Sequence, residues 1–321
     1  MNTPLLLEPL ADRSLNFAAI ALHIPPQEEN APGGILGNDK LAALAAAIPC
    51  LLTETQASQL PAGTRQFIED AGCRIIPENL ILCTDEADTP PPPPHIEWVS
   101  GKWHIKPPKQ LPTNQSGSRA LELRLLQLVA NDADTREIEA IFRQDPILAY
   151  QLLRLVNSIG AGMARRISSF SQAILILGRQ QLKRWLNLML FATNRGDRRS
   201  SMLMTHVAVR SRSMEQLART IGLDRPAQEM AFMAGMFSLL GVLFARPLEE
   251  VLGPLNLNTS LLAAVLGREG DLGRILLAAE AAENLDATAL SGHLRALGLS
   301  GAEFGEQTLE AHSWMVGVVK S

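Results

Sequence analysis

Five consecutive prolines, Pro90 to Pro94, constrain this chain more than any other feature. Each fixes its own φ and lacks a backbone donor, so the run is extended and continues neither a helix nor an interior strand. It splits the first hundred residues from the remainder of the chain. Pro107-Pro108 and the polar stretch Thr113-Asn-Gln-Ser-Gly-Ser118 repeat the break, and the polar stretch reads as a linker. The boundary is placed there, giving residues 1–114 and 115–321, in keeping with about 150 residues per domain.

Ahead of the boundary, short apolar runs alternate with helical ones. Phe17 to Ile24, Ile48 to Leu52, Ile75-Ile76 and Leu80 to Cys83 read as strands. Lys40 to Ala47 and Thr64 to Ala71 read as helices. Ile96 to Val99 and Trp103 to Ile105, separated by Ser100-Gly101, read as a small hairpin. The expectation is a small α/β unit.

Beyond it the apolar positions keep a helical period. Leu121, Leu125, Leu128 and Val129 share a face, as do Leu148, Leu152, Leu155, Val156 and Ile159, and again Leu182, Trp185, Leu186, Met189 and Leu190. Capping signals agree: Asp134-x-x-Glu137, Asp145-Pro146, Gly222 as a helix end, Asp224-Arg-Pro226 as the next start, and Asp271. With one Tyr and nine Phe in a chain that is 46% apolar, the core is Leu, Ala, Ile, Val and Met, which favours helix over strand. The fold class expected is therefore mainly α: an all-helical bundle of about ten helices, without sheet from 119 to 319, preceded by the small α/β domain.

Charge is unevenly spread. The net charge of −4 divides as −6 over residues 1–114, +8 over 115–214 and −6 over 215–321. Ten basic side chains and one acid, Asp197, lie between Arg165 and Arg212. Arg165, Arg166, Arg179, Lys183, Arg184, Arg198 and Arg199 form the tight groups. They read either as a surface for an anionic partner or as a solvated face paired within the chain.

Several chemistries lack their residues. The six histidines, 23, 95, 104, 206, 293 and 312, form no metal-binding spacing, and His206 reads as a structural histidine within a helix. There is no G-x-S-x-G, no Walker A and no G-x-G-x-x-G. Cys50, Cys73 and Cys83 make no C-x-x-C and read as cytosolic thiols. Neither a metal nor another cofactor is expected. Asn157-Ser158 before Gly160-Ala-Gly162 reads as a helix-ending turn. The longest charge-free apolar run, Met230 to Ala245, has 16 residues where a membrane span wants about 20. It reads as a buried helix or half of a homodimer interface, in a cytoplasmic protein without membrane insertion.

The segment from Glu137 to Gly178 carries Asp145-Pro146, Leu152-Leu153, Asn157-Ser158, Ile167-Ser168-Ser169, Gln172-Ala173-Ile174 and Leu177-Gly178. This set resembles the HDOD domain, an all-helical relative of the HD phosphohydrolases found in bacterial signalling proteins. In that resemblance Ala234-Gly-Met-Phe-Ser-Leu-Leu-Gly241 is similar to the helix bearing the metal-binding His-Asp pair, and the pair's positions hold Ser238 and Leu239. Pro247-Leu-Glu-Glu250, Leu266-Gly-Arg-Glu-Gly270, Leu272-Gly273 and Glu283 before Leu285 resemble the subgroup that joins HDOD to an EAL-type barrel. EAL domains hydrolyse or bind cyclic di-GMP. A barrel of that kind takes about 250 residues, so 114 without a Glu-Ala-Leu signature imply a degenerate remnant.

The resemblance implies a non-enzymatic signal-transduction or scaffold protein that works through contact with a signalling partner. Two alternatives stay open. One is a nucleotide (cyclic di-GMP) or nucleic-acid binding module using the basic segment 165–212. The other is a metal-dependent phosphohydrolase with dispersed ligands.

Overall fold

The computed structural model describes residues 4–24, 38–86, 91–106, 198–253 and 257–319, with isolated positions between 124 and 184. The linker, the 114/115 boundary, Asp145, Pro146, Asn157 and Ser158 lie outside the described residues.

The chain opens on an antiparallel hairpin of β1 (Leu6–Ala11) and β2 (Phe17–His23), in register from Leu6↔His23 to Pro9↔Ile20 and onward to a bulge at Leu10/Ala11. Asp12 sets the turn: its Oδ1 accepts from the backbone of Ser14 (2.8 Å) and Asn16 (2.9 Å). α1 (Asn38–Ala47) then carries the chain to β3 (Cys50–Thr53), parallel to β2. α2 (Glu54–Ser58) and α3 (Ala62–Asp70) lead to β4 (Arg74–Ile76), parallel to β3. β5 (Ile81–Cys83) and β6 (Trp98–Ser100) are parallel to each other, and β6 runs antiparallel to β1. The result is one mixed sheet in the order β4-β3-β2-β1-β6-β5.

This sheet curls. Ile76 on one edge strand and Ile81 on the other pack into the same small cluster with Leu10, Ala19, Ala21 and Leu51. Ala19 and Ala21 line the inside of the curl beside the larger Leu10, Leu51 and Ile76. The face turned toward the helices feeds a second, larger core, in which Leu5, Leu22 and Leu44 join Met202, Ile275 and Leu309.

From residue 198 on, every regular element among the described residues is helical. α4 (Ser200–Thr220) is the central one, with Met204, His206, Arg210 and Met214 all buried. It packs on α5 (Arg225–Phe237), and Gly235 permits the approach: a Cβ there would lie 2.8 Å from Ser211 Cα. α5 starts as its sequence signals, with Asp224 Oδ1 accepting from Ala227 N (2.9 Å) and Pro226 in the first turn. α6 (Leu240–Phe244), α7 (Leu248–Leu252) and α8 (Thr259–Leu262) come next, then a π-helical turn over Ala263–Gly267. α9 (Gly270–Glu283), α10 (Ala287–Ala296) and α11 (Gly301–Val319) complete the described chain.

Three expectations are corrected. The chain is not a helical bundle with a small unit set before it: a six-stranded mixed sheet forms its N-terminal part and shares a core with the helices. Leucine and alanine favour helix in isolation, yet pairing on both sides of β1 overrides that preference in Leu-Leu-Glu-Pro-Leu-Ala. The hairpin at 96–105 does not form. β6 pairs with β5 and β1, while Trp103–Ile105 is a single 3-10 turn with Trp103 and His104 buried. The apolar run Met230 to Ala245 is not one helix, because α5 ends at Phe237 and α6 begins at Leu240. Over Arg225–Phe244 it is long and apolar enough to cross a membrane, yet Ala231, Phe232, Ala234, Met236 and Phe237 are buried in the protein.

Candidate functional site

Where the sheet meets the helices, a cleft of about 380 Å³ opens between β1, the turn after β6, α4 and the end of α9. On the helical side, His206 and Arg210 stand one turn apart on α4, and both point to Glu283 in the last turn of α9. Arg210 Nε donates to Glu283 Oε1 (2.7 Å) and its Nη2 to Oε2. His206 Nε2 lies 3.0 Å from the same Oε2. The remaining Arg210 nitrogen, Nη1, donates to Ser238 Oγ (2.8 Å), and that hydroxyl donates to the Gly235 carbonyl (2.6 Å).

The 3-10 turn after β6 adds His104, whose Nε2 is 3.1 Å from His206 Nδ1. His206 Nε2 stands between an acceptor, Glu283 Oε2, and a donor, Arg210 Nη2 at 3.3 Å. Burial and the neighbouring His206 push His104 well below the usual histidine range, so its ring is neutral. Burial alone would raise the Glu283 carboxyl, but the Arg210 guanidinium and His206 beside it hold it well below the usual carboxylate range. The guanidinium in turn is raised by Glu283 against the cost of its own burial.

The sheet side is built around Glu8. Its Oε2 lies 2.9 Å from His23 Nε2 on the paired strand, and its Oε1 accepts from Gly101 N (3.0 Å). Gln56 Nε2 approaches His23 Nδ1 at 3.1 Å. Gly101 is required at the rim: its φ is +95°, and a Cβ would sit 2.2 Å from the Thr84 carbonyl oxygen. Lys102 bridges the cleft, donating from Nζ to Asn284 Oδ1, while its backbone N–H donates to Asp85 Oδ1 (2.7 Å).

The residues singled out from sequence are described only in part. Arg165, Arg166, Arg179 and Lys183 lie outside the described residues. Arg184 is largely buried, 2.7 Å from Glu215 Oε1 and 4.7 Å above the Phe232 ring. Arg199 is buried and donates to the Lys106 carbonyl, while Arg198 is exposed. Ser238 and Leu239 sit at the break between α5 and α6, with Ser238 bonded to Arg210. A His-Asp pair at these positions would imply a metal, and the residues present do not fit one. A serine and a leucine stand there, and a guanidinium faces the serine. Among the described residues no group of three or more His, Cys, Asp or Glu converges to hold an ion.

Sequence reading missed Arg210, His104, Glu8 and His23. Glu283 entered only as a mark of resemblance, and His206 only as a structural histidine. Arg210 and Glu283 are 73 positions apart, and nothing in local spacing links them.

Residues 119–251 match the HDOD domain family. The chain is 30% identical over 183 residues to "Cyclic di-GMP phosphodiesterase CdgJ" of Vibrio cholerae serotype O1, covering 57% of this chain and 42% of that one. It is 29% identical over 154 residues to YuxH of Bacillus subtilis (strain 168), a protein of uncharacterized function, covering 47% of this chain and 37% of that one. The chain thus spans less than half the length of these curated relatives. A solved structure from Shewanella amazonensis SB2B, assigned by its name to the phosphohydrolases, aligns over 66% of this chain and 93% of its own at 15% identity and a TM-score of 0.41.

Proposed function

With an HDOD domain at residues 119–251 as the premise, we propose that this chain is a non-catalytic signalling protein acting through contact with a protein partner, in a cytoplasmic cyclic di-GMP signalling context. One observation carries the reading. The position that the resemblance assigns to the histidine of a metal-binding pair holds Ser238, whose hydroxyl is engaged by the Arg210 guanidinium. A fixed, paired cation faces the side chain that would otherwise contribute to a metal site, and a guanidinium activates no water. The name of the Vibrio cholerae relative supports the signalling context. We read the N-terminal sheet as the remnant of an EAL-like unit, on the resemblance in the sequence alone.

The test is hydrolysis. The purified full-length chain, supplied with excess Mn²⁺, is assayed on cyclic di-GMP and on bis(p-nitrophenyl) phosphate. No turnover of either is expected. Turnover that scales with protein concentration overturns the reading. A second reading, nucleotide binding through the basic segment, has Arg198 as its exposed member among the described residues. It predicts cyclic di-GMP binding that weakens steeply with salt.

A further inference from the structure

The cleft between the sheet and α4 has a chemical bias of its own. Its lining holds three carboxylates, Glu8, Asp85 and Glu283, against two fixed cations, Lys102 and Arg210. Arg210 is spent on Glu283 and Ser238 through all three of its nitrogens. Glu8 is different. It is largely buried, at 19% side-chain exposure, and its partners are one backbone N–H and one imidazole. Among the described residues no lysine or arginine reaches it. A carboxylate can accept about four hydrogen bonds, and Glu8 accepts two.

The backbone donors of Gly101 and Lys102 already have acceptors in Glu8 and Asp85, and the Lys102 ammonium donates across the cleft to Asn284. His312 Nδ1 is 2.8 Å from the Thr308 carbonyl and must carry the proton, which leaves Nε2 a lone pair with no partner. His104 Nδ1 likewise has no partner. Both rings are more than nine-tenths buried in the cleft lining. The rest of the surface is apolar, contributed by Leu7, Val209, Leu285 and Phe304 among others. A cleft of this size suits a small organic molecule.

We propose that this cleft is a binding site for a small organic cation, a protonated primary amine on an apolar body, with its ammonium on Glu8 and its body against Leu7, Val209 and Phe304. The ammonium brings donors to the acceptor positions that Glu8 leaves open and a full positive charge beside that carboxylate. The site goes beyond the signalling reading and does not depend on it. The hydrolysis assay reads one and amine binding reads the other.

The experiment uses three probes matched in ring and length: 2-phenylethylamine, 2-phenylethanol and phenylacetate. Each is titrated by calorimetry into the full-length chain. The amine is expected to bind at least about ten-fold more tightly than the alcohol, one charge-assisted contact being of that order, and phenylacetate is expected to bind most weakly. Glu8→Gln, which keeps an acceptor for Gly101, should remove the amine's advantage and leave the alcohol unchanged. If that variant fails to fold, salt titration of the wild-type chain replaces it: added salt should weaken amine binding and not alcohol binding. Phenylacetate binding tightest, amine and alcohol binding equally, an advantage that survives Glu8→Gln or high salt, or no binding by any probe each overturns the proposal.

Discussion

Arg210 holds the Glu283 carboxylate through two nitrogens, joining the middle of α4 to the last turn of α9 within the protein interior. Breaking such a pair leaves an uncompensated charge. Arg210→Met is therefore expected to cost about 3–5 kcal/mol in urea denaturation. The double variant Arg210→Met/Glu283→Leu should recover most of that loss. A double variant as unstable as the single one would show that the pair's partners, His206 and Ser238, matter more than the pair.

Acid should weaken the protein in two stages. Burial pushes His312 down to about 4, only partly offset by the Thr308 carbonyl. The unfolded chain, with an ordinary histidine value near 6.5, therefore takes up a proton that the folded chain refuses between those values. Stability should fall by about 3 kcal/mol as pH drops through that window. His104, shifted the same way by burial, adds to the fall. Glu283 acts lower. Its contribution is intact above about pH 4.3 and is lost as pH falls toward its depressed folded value. Denaturation midpoints of wild type and His312→Phe at pH values of about 7.5, 6 and 5 check this. The variant should lose less between the first and the last.

Two glycines inside helices should respond in opposite directions to a methyl group. At Gly235 a Cβ meets Ser211 Cα at 2.8 Å and backbone N at 3.0 Å, so α4 and α5 would have to separate. Gly235→Ala should destabilise by about 1–3 kcal/mol, and Gly235→Leu by more. At Gly292 in α10 nothing lies within 4 Å. Gly292→Ala should stabilise by up to about 1 kcal/mol through helix propensity alone. Thermal melts of the two variants make the comparison directly.

Lys40 on α1 reaches Glu310 (2.7 Å) and Glu306 (3.5 Å) on α11. The lysine is 38% exposed, so solvent and salt screen the contact. Lys40→Met should cost no more than about 1 kcal/mol, and less at high salt. A loss as large as that of Arg210→Met would mean that α1 depends on this contact to dock.

Much of the N-terminal order is legible in the sequence. β2, α1, β3, α3, β4 and β5 fall where their apolar runs end against turn residues, because those signals are local. β1 could not be read that way. Leu6–Ala11 contains a proline and no aromatic residue, and it becomes a strand only between β2 and β6. The cleft was equally hidden. Glu8, His104, Arg210 and Glu283 come from four separate stretches, and each alone looks like an ordinary surface or core residue. What sequence did reveal was a substitution: Ser238 where the resemblance places a histidine. The structure adds the guanidinium that engages it.

The proline run lies in the crossover between β5 and β6, within the sheet. Among the described residues β5 has one neighbour, β6, and β6 also lines the second edge of β1. Ending a recombinant fragment at the prolines, the most visible seam in the sequence, would strip β5 of the strand it pairs with. It would also bare the β1 edge, a row of unpaired amides open to a strand from another molecule.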